Sequence, residues 1–416
     1  MFRGGRPLRA RHAAFGAILD AGARVIDQGL ALFFPAPHSV TGEDVLELHV
    51  HGSPAVARET LIATLAAGAR MAQPGEFTRR AFLNGKTDLA SAEAVADLIA
   101  AEHGAAARAA AMQLGGGLAR EVDALRAALE EIAEELAAAI DFPDEVETPP
   151  PSRLGERIAS VRERLADLAL TWERGRLVRE GAAVAIVGPP NAGKSTLLNA
   201  LLGAERALVS ELPGTTRDTI EETFALDAMT VRLIDTAGIR AHADRVEAAG
   251  IDRSEAALRD ARVALVVVDG SLPLSAATRS LLERTRGRER VVFFNKADLG
   301  RAGYESREAP EGAAICGSVF DAATLAAIRA ALASLLSSSE TIDLARPYLS
   351  TARQADAVLE ADRALAFAAE TLGSNAPVDL ISGDLMTAIR ALGQLTGREA
   401  DERLLDAIFA RFCIGK

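Results

Sequence analysis

The chain has 416 residues, 49% of them hydrophobic and 25% charged, which is enough for two or three domains, each with its own apolar core. A formal net charge of −12 argues against a surface given over to phosphate binding and leaves room only for a local basic patch, while 4% aromatics speak against a base-stacking RNA platform. Two cysteines are too few for a disulfide framework or a four-thiolate metal site, no apolar run reaches the ~18 residues of a membrane span and no signal-like segment opens the chain, so a soluble protein in a reducing cytoplasm, with no membrane partner, is expected.

To about Gly85, short strand-like runs alternate with turn signals. Residues 29–34 end at Pro35, and residues 44–51 form an alternating strand that ends at Gly52. This reads as a small α+β domain over 1–86. Polar groups crowd here in TGED (41–44), HVHG (49–52), PGEFT (74–78) and NGK (84–86), where turn chemistry accounts for the Gly, Asn and Asp positions and a strand-end pair accounts for His49 and His51.

From Asp88 the composition turns to Ala, Leu, Glu and Arg at helical spacing. Val122, Leu125, Leu129, Ile132 and Leu136 form one apolar stripe; Leu154, Ile158, Val161, Leu165, Leu168 and Trp172 form another. Long antiparallel helices are expected, broken at Asp141-Phe142-Pro143 and Pro149-Pro150-Pro151, with the glutamates at 130, 131, 134 and 135 on a solvated face. The helical domain's first part spans 87–180.

Between 181 and 336 short β-rich runs alternate with helices, which predicts a parallel sheet covered on both faces. Helical spacing returns over 337–416, after the serine tract at 337–339. The expected fold is therefore multidomain: an α/β domain, of the Ras-like P-loop type on the motifs GPPNAGKS, DTAG and NKAD that it carries, inserted into an α-helical domain, with the small α+β domain in front.

Within the α/β segment, GPPNAGKS (188–195) follows the apolar run 183–187 and precedes TLLNALL (196–202). Strand, Gly-rich turn and helix in that order are the setting of a phosphate-binding loop. Backbone N–H groups from Gly188 through Thr196, including those of Ala192 and Gly193, can turn toward phosphates, Lys194 brings a point charge to the terminal ones, and the Ser195 hydroxyl can ligate magnesium. Asp235-Thr236-Ala237-Gly238 then supplies a carboxylate for the magnesium water shell and an N–H that senses the γ-phosphate. Asn295-Lys296-Ala297-Asp298 supplies a carboxylate that accepts from guanine N1–H and its exocyclic amine, and adenine offers it the wrong donors. Gly214-Thr215-Thr216-Arg217-Asp218 lies between, with Thr216 completing the magnesium shell. Ile239, and not a water-orienting glutamine, follows Gly238, so hydrolysis must be organised otherwise.

TGEDVLELHVHG, PGEFTRRAFLNGK, DFPDE, GPPNAGKSTLLNAL, PGTTRD, DTAGIR and the terminal FCIGK together make the chain similar to the MnmE (TrmE) family of tRNA-modification GTPases over nearly its whole length. The resemblance implies a potassium-assisted GTPase. Asn191 helps bind the potassium ion, under a loop containing Ser210, Leu212 and Thr215, and two nucleotide domains meet face to face in a homodimer. It also makes Glu247 the residue that acts on water, beside Lys194 and Thr216. In the first domain it implies a folate one-carbon donor, 5-formyl- or methylene-tetrahydrofolate, near Glu47, Lys86 and the terminal Lys416. Cys413 lies nearby, either in one-carbon chemistry or as a buried packing residue. The implied function is installation of a carboxymethylaminomethyl group at C5 of the wobble uridine of tRNA, with an FAD-dependent MnmG (GidA)-type partner. A ribosome-assembly GTPase switch and a family member that binds GTP without modifying tRNA are the competing readings.

Three departures accompany the resemblance. The family opens with a further Gly- and Arg-containing segment, whereas this chain begins MFRGGRPLRARH, so a first domain truncated at its N-terminus is expected. Ile315-Cys316-Gly317-Ser318 stands where the family closes over guanine with serine-alanine, and His51-Gly52-Ser53 replaces its HGG.

Overall fold

The computed structural model describes residues 1–5, 7–101, 104–206, 222–226, 229–234, 257–300, 314–337, 346–374 and 378–415. In chain order it has β1 (Phe2–Gly4), β2 (Ala14–Leu19), β3 (Val25–Phe34), β4 (Val45–His49), α1 (Pro54–Ala66), α2 (Glu76–Leu83), α3 (Leu89–Ala100), α4 (Gly104–Gln113), α5 (Gly117–Asp141), α6 (Pro151–Leu170) and α7 (Trp172–Glu180). Then come β5 (Ala182–Val187), α8 (Lys194–Arg206), β6 (Glu222–Leu226), β7 (Met229–Ile234), β8 (Val263–Asp269), α9 (Ala276–Arg284), β9 (Arg290–Asn295), β10 (Ala314–Cys316) and α10 (Ala322–Ser337). The chain closes with α11 (Ala352–Gly373), α12 (Val378–Thr396) and α13 (Glu402–Phe409). Two compact units result: Met1–Ile99 with Ala111–Ala169 and Ala352–Lys416, and Ala100–Ala110 with Leu170–Thr351.

In the first unit, β1 to β4 form an antiparallel sheet in sequential order. Ile18 and Ala31 are fully buried on it, and α1 packs on β2 and β3. The apolar stripe of α5, from Val122 to Leu136, is fully buried, as are Leu154, Ile158 and Leu165 of α6. Salt bridges tie the two helices in antiparallel register: Glu135 to Arg153 and Arg157, and Glu121 to Arg164. The stripe stops at Leu168, because Leu170 is 76% exposed and Trp172 opens a separate helix.

Helix α12 packs on both α11 and α5. Where these helices meet α3, Glu93 is 8% exposed and accepts from Arg353 Nε and Nη2 at 3.0 and 2.8 Å and from Gln354 Nε2 at 2.8 Å. The guanidinium also caps the Gln394 and Leu395 carbonyls at the end of α12. A charge this deep is tolerable only with such a complete set of partners.

The second unit is built on a six-stranded sheet in the order β10-β9-β8-β5-β7-β6. It is mixed, not wholly parallel as the continuous apolar runs suggested, since β6 joins β7 antiparallel at one edge. Val184 and Ile186 point into one apolar cluster with Leu197, Leu201, Ile328 and Leu332 of α8 and α10. Ala185 and Val187 point into the opposite cluster with Leu282 of α9, so both faces of the sheet are covered. This layering carries the ends of β5, β8 and β9 to one rim.

Candidate functional site

The rim begins with the turn between β5 and α8. Asn191 and Gly193 both have left-handed backbone, with φ of 60° and 99°. A turn of this kind exposes successive N–H groups, and α8 starts at Lys194 with its N-terminal donors facing the same way. Two glycines are required by space alone: a Cβ on Gly188 would lie 2.2 Å from the Val267 carbonyl oxygen, and one on Gly193 2.2 Å from Asn295 Nδ2. Ala192 is fully buried beneath the turn, while Asn191, Ser195 and Thr196 are exposed.

Lys194 folds back over the loop and donates to the Gly188 and Pro189 carbonyls, both at 2.8 Å. Burial pulls its ammonium below its ordinary pKa, because leaving water penalises the charged form. A half-desolvated cation over a ring of N–H donors is suited to a polyphosphate, and the residues present fit one.

The segment at the end of β9 is fastened to this loop. Asn295 is 2% exposed; its Nδ2 donates to the Ala192 carbonyl at 2.9 Å, and its Oδ1 accepts from the Lys296 and Val319 N–H groups at 2.8 and 3.0 Å. Asp298 stands exposed three residues on. The β10 turn lies alongside, with Ala297 N–H donating to Gly317 O and Gly317 N–H to Phe294 O, both at 3.0 Å. Cys316 and Gly317 thus sit against the Asn295–Asp298 segment through backbone bonds, and Cys316 is partly buried. The geometry brings together Gly188, Asn191, Ala192, Gly193, Lys194, Asn295 and Lys296 on one rim, with Ser195, Thr196 and Asp298 beside them. Ser210, Leu212, Thr215, Thr216, Asp235, Thr236, Ala237, Gly238 and Glu247 lie outside the described residues.

One contact on this rim escaped sequence reasoning. Lys296 has left-handed backbone with φ of 64°, and its Nζ meets Asp269 Oδ2 at 2.7 Å. Asp269 also accepts from Ser271 N–H and Oγ at 3.1 and 2.5 Å. Burial would raise the Asp269 pKa, but the bonds from Lys296 and Ser271 outweigh it and hold the carboxyl below its usual value. The sequence signal was an acid closing the apolar run of β8.

In the first unit the polar motifs join into one network. Glu76, 12% exposed at its side chain, is gripped by Arg70 at 2.5 Å and Arg80 at 2.6 Å. Arg80 reaches on to Glu43 at 2.7 Å, and Asn84 Nδ2 donates to the Thr41 carbonyl at 2.8 Å. TGED, PGEFT and NGK are thereby one structure and not three separate turns. Lys86 donates to the Pro37 carbonyl at 3.0 Å, Glu47 contacts His49 at 3.1 Å, and Gly75 N–H reaches the Cys413 carbonyl at 3.4 Å. Among the described residues no hydrogen bond or ion pair joins the side chains of Glu47, Lys86 and Cys413; Lys416 lies outside them. Cys413 is exposed, which rules out the buried packing role: its neighbours Phe409 and Phe412 take the apolar pocket with Phe82.

The hydrogen bond from Arg70, the Gln73 N–H and Arg80 together hold the Glu76 carboxyl at about 2, against the opposing effect of burial. Because the folded value lies below the ordinary 4.5, the stabilisation is full above that pH and is lost as pH falls toward 2. Glu76→Gln should therefore lower the melting temperature at pH 7 and flatten its fall between pH 4.5 and pH 2. Melting curves of variant and wild type that run parallel through that window would contradict the assignment.

A family model described as the GTP-binding protein TrmE N-terminus matches residues 1–86, and one for the MnmE helical domain matches residues 89–413. Curated relatives named tRNA modification GTPase MnmE include that of Chloroflexus aurantiacus, 42% identical over 100% of this chain and 93% of its own. That of Nitrosomonas europaea is 40% identical over 98% of this chain and 90% of its own. Among solved structures, the cytosolic domain of the T. maritima FeoB iron transporter in its GMPPNP form aligns at 19% identity over 55% of this chain and 94% of its own, with a TM-score of 0.27. With both family models and full-length relatives in agreement, the chain belongs to the MnmE family, whose curated members carry the name tRNA modification GTPase.

Proposed function

We propose that this protein binds and hydrolyses GTP on the rim of the second unit, and that hydrolysis serves modification of tRNA at C5 of the wobble uridine, with an FAD-dependent MnmG-type partner. The observation that carries the reading is the fastening of the phosphate loop to the base-reading segment through Asn295 and Ala192. A loop that holds phosphates and an acid that reads guanine are useful together only at a fixed separation, and this bond sets it.

In this reading the N–H groups of 188–196 cradle the phosphates and Lys194 exchanges its loop carbonyls for the terminal phosphate oxygens. Asp298 selects guanine over adenine. Ser195 and Thr216 would hold magnesium, which when bound neutralises charge on the β- and γ-phosphates. Asn191, with Ser210, Leu212 and Thr215, would hold potassium, whose charge serves where other GTPases bring an arginine. Glu247 would orient the attacking water, and Asp235 through Gly238 would sense the γ-phosphate. We further propose that the α/β domain is inserted into the helical one, that the chain works as a homodimer in the cytoplasm, and that residues 1–86 bind a reduced folate. Lys86, which among the described residues donates to the Pro37 carbonyl, keeps ammonium N–H groups for that ligand's carboxylates, and Glu47 and Cys413 are both exposed.

The test is nucleoside analysis of tRNA from cells with and without this protein: carboxymethylaminomethyl-type wobble uridines should disappear in its absence. Unaltered wobble uridines would overturn the tRNA reading, and GTP turnover equal in potassium and sodium chloride would remove the ion from the mechanism.

A further inference from the structure

The acidity of the chain is not shared by its first domain. Residues 1–86 hold ten Arg and Lys against seven Asp and Glu, in a chain whose formal net charge is −12. The excess is local: four arginines and a histidine fall between residues 3 and 12, and the first acid is Asp20. This stretch is β1 and the connection that leads from it into β2.

Arg3, Arg9, Arg11 and His12 are exposed, and among the described residues none of them meets a carboxylate. The domain's acids are engaged elsewhere: Asp20 with Arg24, Asp27 with His51, Glu43 with Arg80 and Glu76 with Arg70. The connection is nonetheless held in one shape. Arg11 has left-handed backbone, with φ of 61°; its N–H donates to the Phe33 carbonyl at 2.8 Å and its Nη2 to the His38 carbonyl at 2.7 Å. Positive charges fixed side by side without counter-charge repel one another, and a polyanion relieves that repulsion.

Two further features say which polyanion. Phe2, Arg3, Gly4, Gly5, Pro7 and Leu8 line an open cleft of about 480 Å³ along the edge strand. Beside the connection stands Phe15, 65% exposed. Strand alternation puts Phe15 and Ala17 on the face of the sheet opposite the buried Ile18, and Arg3, which pairs with Ala17, shares that open face. Leu30 and His49 continue the row from Phe15 across β3 and β4. One exposed ring among unpaired guanidinium groups suits single-stranded nucleic acid, with phosphates on the arginines and an unpaired base on the ring.

We propose that Arg3, Arg9, Arg11 and Phe15 form a tRNA-contact surface on the first domain, which grips the phosphates around an unpaired nucleotide and stacks its base on Phe15. The proposal rests on the tRNA reading given above and adds to it a place on the chain. Fully paired RNA satisfies only half of the surface, since a base inside a duplex cannot reach the ring.

The experiment measures binding of the full chain to an unmodified tRNA transcript and to a fully paired RNA duplex, by filter retention over a series of KCl concentrations. Arg3→Gln with Arg9→Gln should weaken both RNAs and lower the slope of log affinity against log salt by roughly 1.4–1.8. Arg11 is left in place because it fastens the turn. Phe15→Ala should weaken the tRNA by about tenfold and leave the duplex within about twofold, and Phe15→Trp should restore the loss. Arg58→Gln, the same charge change at an exposed position of α1, should bind both RNAs within about twofold of wild type. Wild-type affinity and slope in the double arginine variant, an equal loss in Arg58→Gln, or a Phe15→Ala loss as large on the duplex as on the tRNA would overturn the inference. Wobble uridines that are unaltered in cells lacking the protein would overturn the tRNA reading itself; wobble uridines that depend on the protein while these variants bind normally would overturn the surface alone.

Discussion

Lys194→Ala should lower GTP turnover by at least ~100-fold, the scale on which loss of one preorganised charge at a developing anion is felt. Its ammonium is held over the loop by two carbonyls at 2.8 Å and has been partly stripped of water in advance. Little reorganisation is then needed when phosphate oxygens take the carbonyls' place, which is what makes a preorganised charge effective. The substitution also leaves the Gly188 and Pro189 carbonyls facing the phosphates unscreened, so GTP affinity should fall with turnover. Phosphate release under saturating GTP, together with calorimetric GTP binding, checks this; turnover within about fivefold of wild type would mean that the loop is not the hydrolytic site. Lys194→Arg should not rescue, because a planar guanidinium cannot occupy the space of a compact ammonium between those two oxygens.

The largest loss of stability is expected from Arg353→Ala. Removing this guanidinium leaves the Glu93 carboxylate, 8% exposed, with Gln354 as its remaining donor among the bonds described above, and uncovers the Gln394 and Leu395 carbonyls as well. Breaking one side of a buried pair typically costs about 3–5 kcal/mol. Urea unfolding followed by far-ultraviolet circular dichroism should show that loss at pH 7. Replacing both partners, Glu93→Leu with Arg353→Met, should recover much of it, since no lone charge is then left behind. A loss below about 1 kcal/mol for Arg353→Ala would show that the pair is solvated in solution.

Much of the second unit could be read directly from the residues, because buried strands must be apolar throughout and a phosphate loop must have glycines where backbones approach. The strands at 183–187 and 264–268 satisfy the first condition; Gly188 and Gly193 satisfy the second. β6 was not legible: Glu222–Leu226 is short, polar at its start, and pairs antiparallel where a run of βα units would not lead one to look. β10 has three residues, below any periodicity signal. In the first unit the helical stripes were legible, while the network from Arg70 through Glu76 and Arg80 to Glu43 was not, since its charges resemble any solvated helix face until the chain brings 43 next to 80. The same holds for Asp269 and Lys296, separated by 27 positions. Cys413 was read as open between chemistry and packing; its exposure follows from Phe412, which fills the adjacent apolar site.

The Glu93–Arg353 pair also sets an order of events during synthesis. The two residues are 260 positions apart, so at ~5–20 residues per second the acid is synthesised roughly 13–52 s before its counter-charge. The intervening segment 170–351 is complete within that interval and builds its sheet from its own residues. The phosphate-binding unit can therefore fold while helices α3 and α5 still await α11 and α12, whose residues lie in the last 65 of the chain.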